Sequence, residues 1–117
     1  MVKIGVIGAG KWGQNHLKVF SELGCLTALA DNNKERKETA DKYNVAFFTG
    51  YKEMLPLVDA VSIAVPTNLH YAIVKDCLQA NKHVLVEKPI TLSSKEAKEL
   101  VELAKKKGLI LAVGYLF

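Results

Sequence analysis

The residues of this sequence best suited to chemistry lie in a few short stretches. "GAGKWG" (residues 8–13) brings three glycines together at G-x-G-x-x-G spacing. Such a turn exposes backbone N–H groups to an anion, above all where a helix begins. "VLVEKPIT" (residues 84–91) runs an apolar segment into an acid, a base and a proline. Glu87 there can accept hydrogen bonds from hydroxyls, and Lys88 can carry a proton to or from an oxygen. Pro89 fixes the turn that carries them.

The glycine motif gains weight from its context. It follows the apolar run "KIGVIG" (3–8) and opens the helical pattern "WGQNHLKVFSEL" (12–23), as a dinucleotide fingerprint requires. Gly8 permits the tight turn, Gly10 lets the backbone approach a pyrophosphate, and Gly13 lets helix and strand pack closely. Lys11 and Trp12 lie inside the loop. Asp31 ends the second apolar run, 18 residues after Gly13. A carboxylate there accepts both hydroxyls of an adenosine ribose and repels a 2′-phosphate, which favours NAD over NADP. Lys34 and Arg36 follow closely and leave NADP possible. Asp31 also fits a helix N-cap. The stretch "VPTNLHYA" (65–72) supplies Pro66, Thr67, Asn68 and His70, with Thr67 or Asn68 also suited to a plain N-cap.

The elements that must position these groups alternate along the chain. Apolar runs at 3–8, 25–31, 45–48, 60–65, 83–87 and 109–114 read as strands. Helical patterns separate them at 12–23, 33–44, 68–81 and after Ser93, with a short turn at 50–58. Trp12, His16, Val19, Phe20 and Leu23 form the expected inner face of the first helix, ended by Gly24. Ala97, Leu100, Val101 and Ala104 form that of the last. Ser93 and Glu96 have capping-box spacing, and Gly108 stops that helix. The expected fold is α/β: a doubly wound parallel sheet, the Rossmann fold, in strand order 3-2-1-4-5-6. Ligands of such sheets bind beyond the carboxyl ends of the strands, at the switch point between strands one and four. The glycine loop, Asp31, the Thr67 loop and Glu87–Lys88 all fall at such ends.

Composition narrows the class. The 117 residues, half of them hydrophobic, make one domain with a real core. No apolar run approaches a membrane span, and the start lacks a signal-peptide pattern, so a cytoplasmic protein is expected. The net charge of +4 comes from lysines spread along helices, without the clustered aromatics of a nucleic-acid surface. Two distant cysteines and three dispersed histidines offer no metal-ligand spacing.

Taken together, "IGVIGAGKWGQNH", "ALAD", "DAVSIAVPTNLHYAI" and "HVLVEKPIT" resemble the N-terminal domain of the glucose-fructose oxidoreductase / inositol dehydrogenase (Gfo/Idh/MocA) family. The resemblance covers nearly the whole chain in family order. It implies hydride transfer between NAD(P) and a sugar, cyclitol or nucleotide sugar. It implies that Lys88 is catalytic, polarising or protonating the substrate oxygen, and that Glu87 and His70 lie near the nicotinamide ribose. It further implies a cis bond before Pro89. Family members continue after strand six into a larger α/β domain that supplies the substrate pocket. This sequence stops at "VGYLF". The expectation is thus a dinucleotide-binding domain over 1–117, inactive alone, meeting a sugar-type substrate only with that further domain. Alternatives are a non-catalytic dinucleotide-binding module, such as a redox sensor or a subunit needing a partner chain, and a binder of another adenine-containing ligand. The apolar run "LILAVGYLF" (109–117) at the expected sheet edge suggests a homodimer.

Overall fold

The computed structural model describes residues 2–114. Residues 115–117, the end of the expected edge run, lie outside the described part. Six strands form one parallel sheet: β1 (Ile4–Ile7), β2 (Leu26–Ala30), β3 (Ala46–Phe48), β4 (Ala60–Ile63), β5 (His83–Glu87) and β6 (Leu111–Gly114). Their spatial order is β3-β2-β1-β4-β5-β6, the expected doubly wound order. Order reverses between β1 and β4, whose residues pair from Ile4–Ala60 to Ile7–Ile63.

Five helices cover the sheet: α1 (Lys11–Glu22), α2 (Lys37–Tyr43), α3 (Tyr51–Met54), α4 (His70–Gln79) and α5 (Ser94–Lys107). Strand alternation divides their cores. Ile7, Val61, Ile63, Val84 and Val86 pack with Val74, Leu78 and Leu100 of α4 and α5. Val6 and Leu29 pack with Leu17 and Phe20 of α1, and Leu85 joins that cluster. Successive side chains on a strand point to opposite faces. On β5, therefore, Leu85 and Glu87 share the α1 face while Val84 and Val86 face α4 and α5.

The element ends follow local chemistry. Gly24 and Gly108 take left-handed conformations just past α1 and α5, at φ 75° and 69°. Ser93 accepts the Glu96 N–H at 3.2 Å, as a cap should. The Glu96 carboxylate accepts the Ser93 hydroxyl, at 3.4 Å. The expected helix over 68–81 begins later. Residues Thr67–Leu69 form a 3-10 turn, and α4 starts at His70 with no side-chain cap, so Thr67 and Asn68 are not caps.

Two helix faces differ from expectation. On α1 the buried residues are Gly13, His16, Leu17 and Phe20. Trp12 is 53% exposed, with Gly13 rather than Trp12 packed against the Gly8 carbonyl, and Leu23, past the last residue of α1, is 66% exposed. On α5, Val101 is 46% exposed while Leu100 and Ala104 are buried. Cys77 lies inside the α4 core at 0% exposure. Burial, then the Asp76 carboxylate, pushes its thiol up to about 12.

Candidate functional site

The glycine loop is built from three different backbone needs. Gly8 has φ +100°, and a Cβ there would stand 2.4 Å from the Ala64 carbonyl oxygen. A Cβ on Gly13 would stand 2.0 Å from the Gly8 carbonyl oxygen, so only glycine lets α1 approach the loop. Gly10, with φ −71°, has nothing within 4 Å of its Cβ position. Space is open there on the side where a ligand would come. Gly8 and Gly13 are buried supports, and Gly10 is exposed.

Asp31 does more than end β2. Its Oδ2 accepts the Ala9 N–H at 2.7 Å, and its Oδ1 accepts the Asn33 N–H at 2.8 Å. The carboxylate ties the glycine loop to the β2 end, and its remaining lone pairs suit hydroxyl donors. From within α1, the Gln14 amide donates to the Ala9 carbonyl at 2.9 Å.

A cleft of about 380 Å³ opens at the switch point. It falls within the roughly 300–1,000 Å³ typical of small-molecule sites. It is lined by Gly10, Lys11 and Trp12 from the loop and α1, and by Pro66, Thr67 and His70 after β4. Glu87 and Lys88 complete it from β5. Residues from three separated parts of the sequence thus meet at one cleft, which Asp31 does not line. Asn68 is exposed on the 3-10 turn and does not line the cleft. Ala64 and Val65 line it unforeseen, because they appear in the sequence only as apolar strand residues.

His70 lines the cleft yet is only 3% exposed. Its Nε2 lies 2.9 Å from the Val65 carbonyl oxygen, and its Nδ1 lies 3.0 Å and 3.1 Å from those of Pro89 and Ile90. The ring therefore joins the segment after β4 to the turn after β5. The Lys88–Pro89 bond in that turn is cis. Lys88 is exposed.

Two further polar residues sit behind Glu87. His16 Nε2 lies 2.7 Å from Glu87 Oε1, and His16 Nδ1 lies 2.6 Å from Ser62 Oγ. Both His16 and Ser62 are fully buried. The sequence shows Ser62 as the one polar residue of "AVSIAV" and His16 as a histidine on a helix's inner face, which signals burial but not partnership.

Comparison with known proteins supplies the lineage. Residues 2–115 match the family profile GFO_IDH_MocA, described as an oxidoreductase family with an NAD-binding Rossmann fold. The chain belongs to the Gfo/Idh/MocA family. Among relatives of this family, UDP-N-acetylglucosamine 3-dehydrogenase from Acidithiobacillus ferrooxidans is 37% identical over 116 residues, covering 98% of this chain and 37% of that protein. Its solved structure superposes with a TM-score of 0.92, covering 96% and 37% of the two chains. Myo-inositol 2-dehydrogenase from Thermotoga maritima is 36% identical over 123 residues, covering 97% of this chain and 36% of that protein. KijD10, a 3-ketoreductase from Actinomadura kijaniata solved with NADP and TDP-benzene, gives a TM-score of 0.89 at 30% identity, covering 96% and 36%. The chain thus spans little more than a third of the length of these Gfo/Idh/MocA relatives.

Proposed function

We propose that this chain is the dinucleotide-binding domain, over residues 1–117, of an oxidoreductase. That enzyme moves a hydride between a nicotinamide and a hydroxyl or carbonyl carbon of a sugar, cyclitol or nucleotide sugar. One observation carries the reading: the open glycine loop at the α1 N-terminus and the Glu87–Lys88 pair line the same cleft. The loop and helix end suit a pyrophosphate. Glu87 suits a ribose hydroxyl, and Lys88 is the proposed catalytic residue, giving or taking the proton of the reacting oxygen. When bound, the nicotinamide supplies the hydride chemistry, and the chain supplies binding, orientation and the proton.

Asp31 favours NAD over NADP, since its carboxylate would repel a 2′-phosphate. The KijD10 complex with NADP shows that a relative with this fold takes the phosphorylated cofactor. His70 acts by holding the turn that carries Lys88, since backbone carbonyls already face both its ring nitrogens. Among the described residues no helix is long and apolar enough to cross a membrane. The free thiols of Cys25 and Cys77 fit a reducing cytoplasmic setting.

Calorimetric titration with NAD+ and NADP+ tests the reading. Saturable heat with NAD+ is expected. Absence of heat and of thermal shift with both, at millimolar ligand, overturns it. NADP+ binding tenfold tighter, roughly 1.4 kcal/mol, overturns the discriminating role of Asp31 alone.

A further inference from the structure

We infer that His16 is a positioning residue: braced by Ser62, its ring fixes the Glu87 carboxylate at the wall of the cleft. This rests on the dinucleotide reading of that cleft. The three groups come from three elements, α1, β4 and β5, and meet because strand alternation turns Ser62 and Glu87 toward α1. Ser62 pairs with Leu85 across β4 and β5, one step before Glu87 on the same face.

The burial of these groups needs a reason. His16 and Ser62 are both 0% exposed. Burying polar groups costs free energy unless each is hydrogen-bonded. Among the described residues no buried side-chain nitrogen or oxygen lacks a partner. Yet Leu17 and Phe20 show that this face of α1 packs well with apolar side chains. A leucine at position 16 with an alanine at position 62 would fill this part of the core with no polar group to satisfy. What the network adds is a defined place for one carboxylate.

The order Ser–His–Glu resembles the relay of a hydrolase, but Ser62 cannot attack a substrate. Its hydroxyl is sealed within the sheet. The end that reaches the cleft is Glu87, whose side chain is 22% exposed. With Nε2–H donated to Oε1, Nδ1 accepts the Ser62 hydroxyl, and Oε2 is left as the acceptor for a ribose hydroxyl. A carboxylate so held loses less rotamer freedom on binding than a mobile one.

The test is NADH titration of the wild-type chain, His16→Leu, His16→Gln, Glu87→Ala and the double variant His16→Leu/Glu87→Ala, with thermal melts of each. His16→Leu is expected to weaken NADH binding about tenfold, roughly 1.4 kcal/mol, and to lower the melting temperature, because the buried Ser62 hydroxyl loses its partner. His16→Gln, which keeps an N–H donor, should retain most of the affinity. The double variant should bind no more weakly than Glu87→Ala. Unchanged affinity in His16→Leu, or additive losses in the double variant, overturns the inference. If the wild-type chain binds no NADH, the dinucleotide reading fails. The imidazole ¹⁵N spectrum of the free protein then decides the positioning role, as it does if His16→Leu does not fold. An Nε2–H tautomer whose signal moves in Glu87→Ala supports it, and a signal indifferent to Glu87 overturns it.

Discussion

Gly10 and Gly13 lie three residues apart, and substitutions at the two should fail in opposite ways. A side chain at Gly10 meets no protein atom within 4 Å. Gly10→Val should therefore melt like the wild type and lose NAD+ binding in calorimetry, because the branched side chain takes the pyrophosphate's place. A Cβ at Gly13 meets the Gly8 carbonyl at 2.0 Å. Gly13→Ala should cost about 1–3 kcal/mol or more through overpacking, read as a lowered denaturation midpoint. Asp31→Ala should do both kinds of harm. It removes the acceptor of the Ala9 and Asn33 amides. Loss of roughly 1–3 kcal/mol of stability should accompany weaker NAD+ binding; unchanged stability would mean that the loop holds itself. The motif residues were legible because glycine spacing reports backbone need directly. The bracing of the loop by Asp31 was not, since no sequence pattern shows where a main-chain N–H points. The same holds for His70, whose ring nitrogens turn to carbonyls of two distant segments.

At the scale of elements, the α5 start is the simplest to test. The Ser93 hydroxyl oxygen accepts the Glu96 N–H. Ser93→Ala should cost about 1 kcal/mol by chemical denaturation. On α4, Cys77 is fully buried with its thiol pushed up to about 12, while Cys25 is only half-buried. Alkylation of the native chain, mapped by mass spectrometry, should label Cys25 well before Cys77, since the thiolate is the reacting form. Strand positions and their order were readable because six apolar runs alternate with helices and crossovers are right-handed. Helix faces were read less well. Trp12 and Leu23 obey helical spacing with His16 and Phe20, yet both end up exposed. Periodicity locates a stripe to within a residue or so: on α1 the inward residues are Gly13, His16, Leu17 and Phe20, while Leu23 lies past the helix end. The start of α4 was blurred because the 3-10 turn at Thr67–Leu69 carries helix-like sequence with i→i+3 rather than α-helical hydrogen bonding.

At the scale of the whole molecule, one sheet edge carries exposed apolar residues among the described residues. β6 is an edge strand, and Val113 is 42% exposed there, near Ile110 at 65%. Edge strands of this kind offer unpaired backbone groups to a second copy. The chain by itself should therefore form a two-fold dimer in concentration-dependent light scattering, and Val113→Lys should dissociate it. A monomer mass persisting at high micromolar protein would refute the dimer. Dimer or monomer, the molecule has a built-in optical consequence. Its one tryptophan, Trp12, stands at the wall of the cleft. All indole fluorescence therefore originates at the proposed binding site. A reduced nicotinamide seated nearby should quench that emission by energy transfer and brighten its own, so occupancy of the cleft is readable by light without a label.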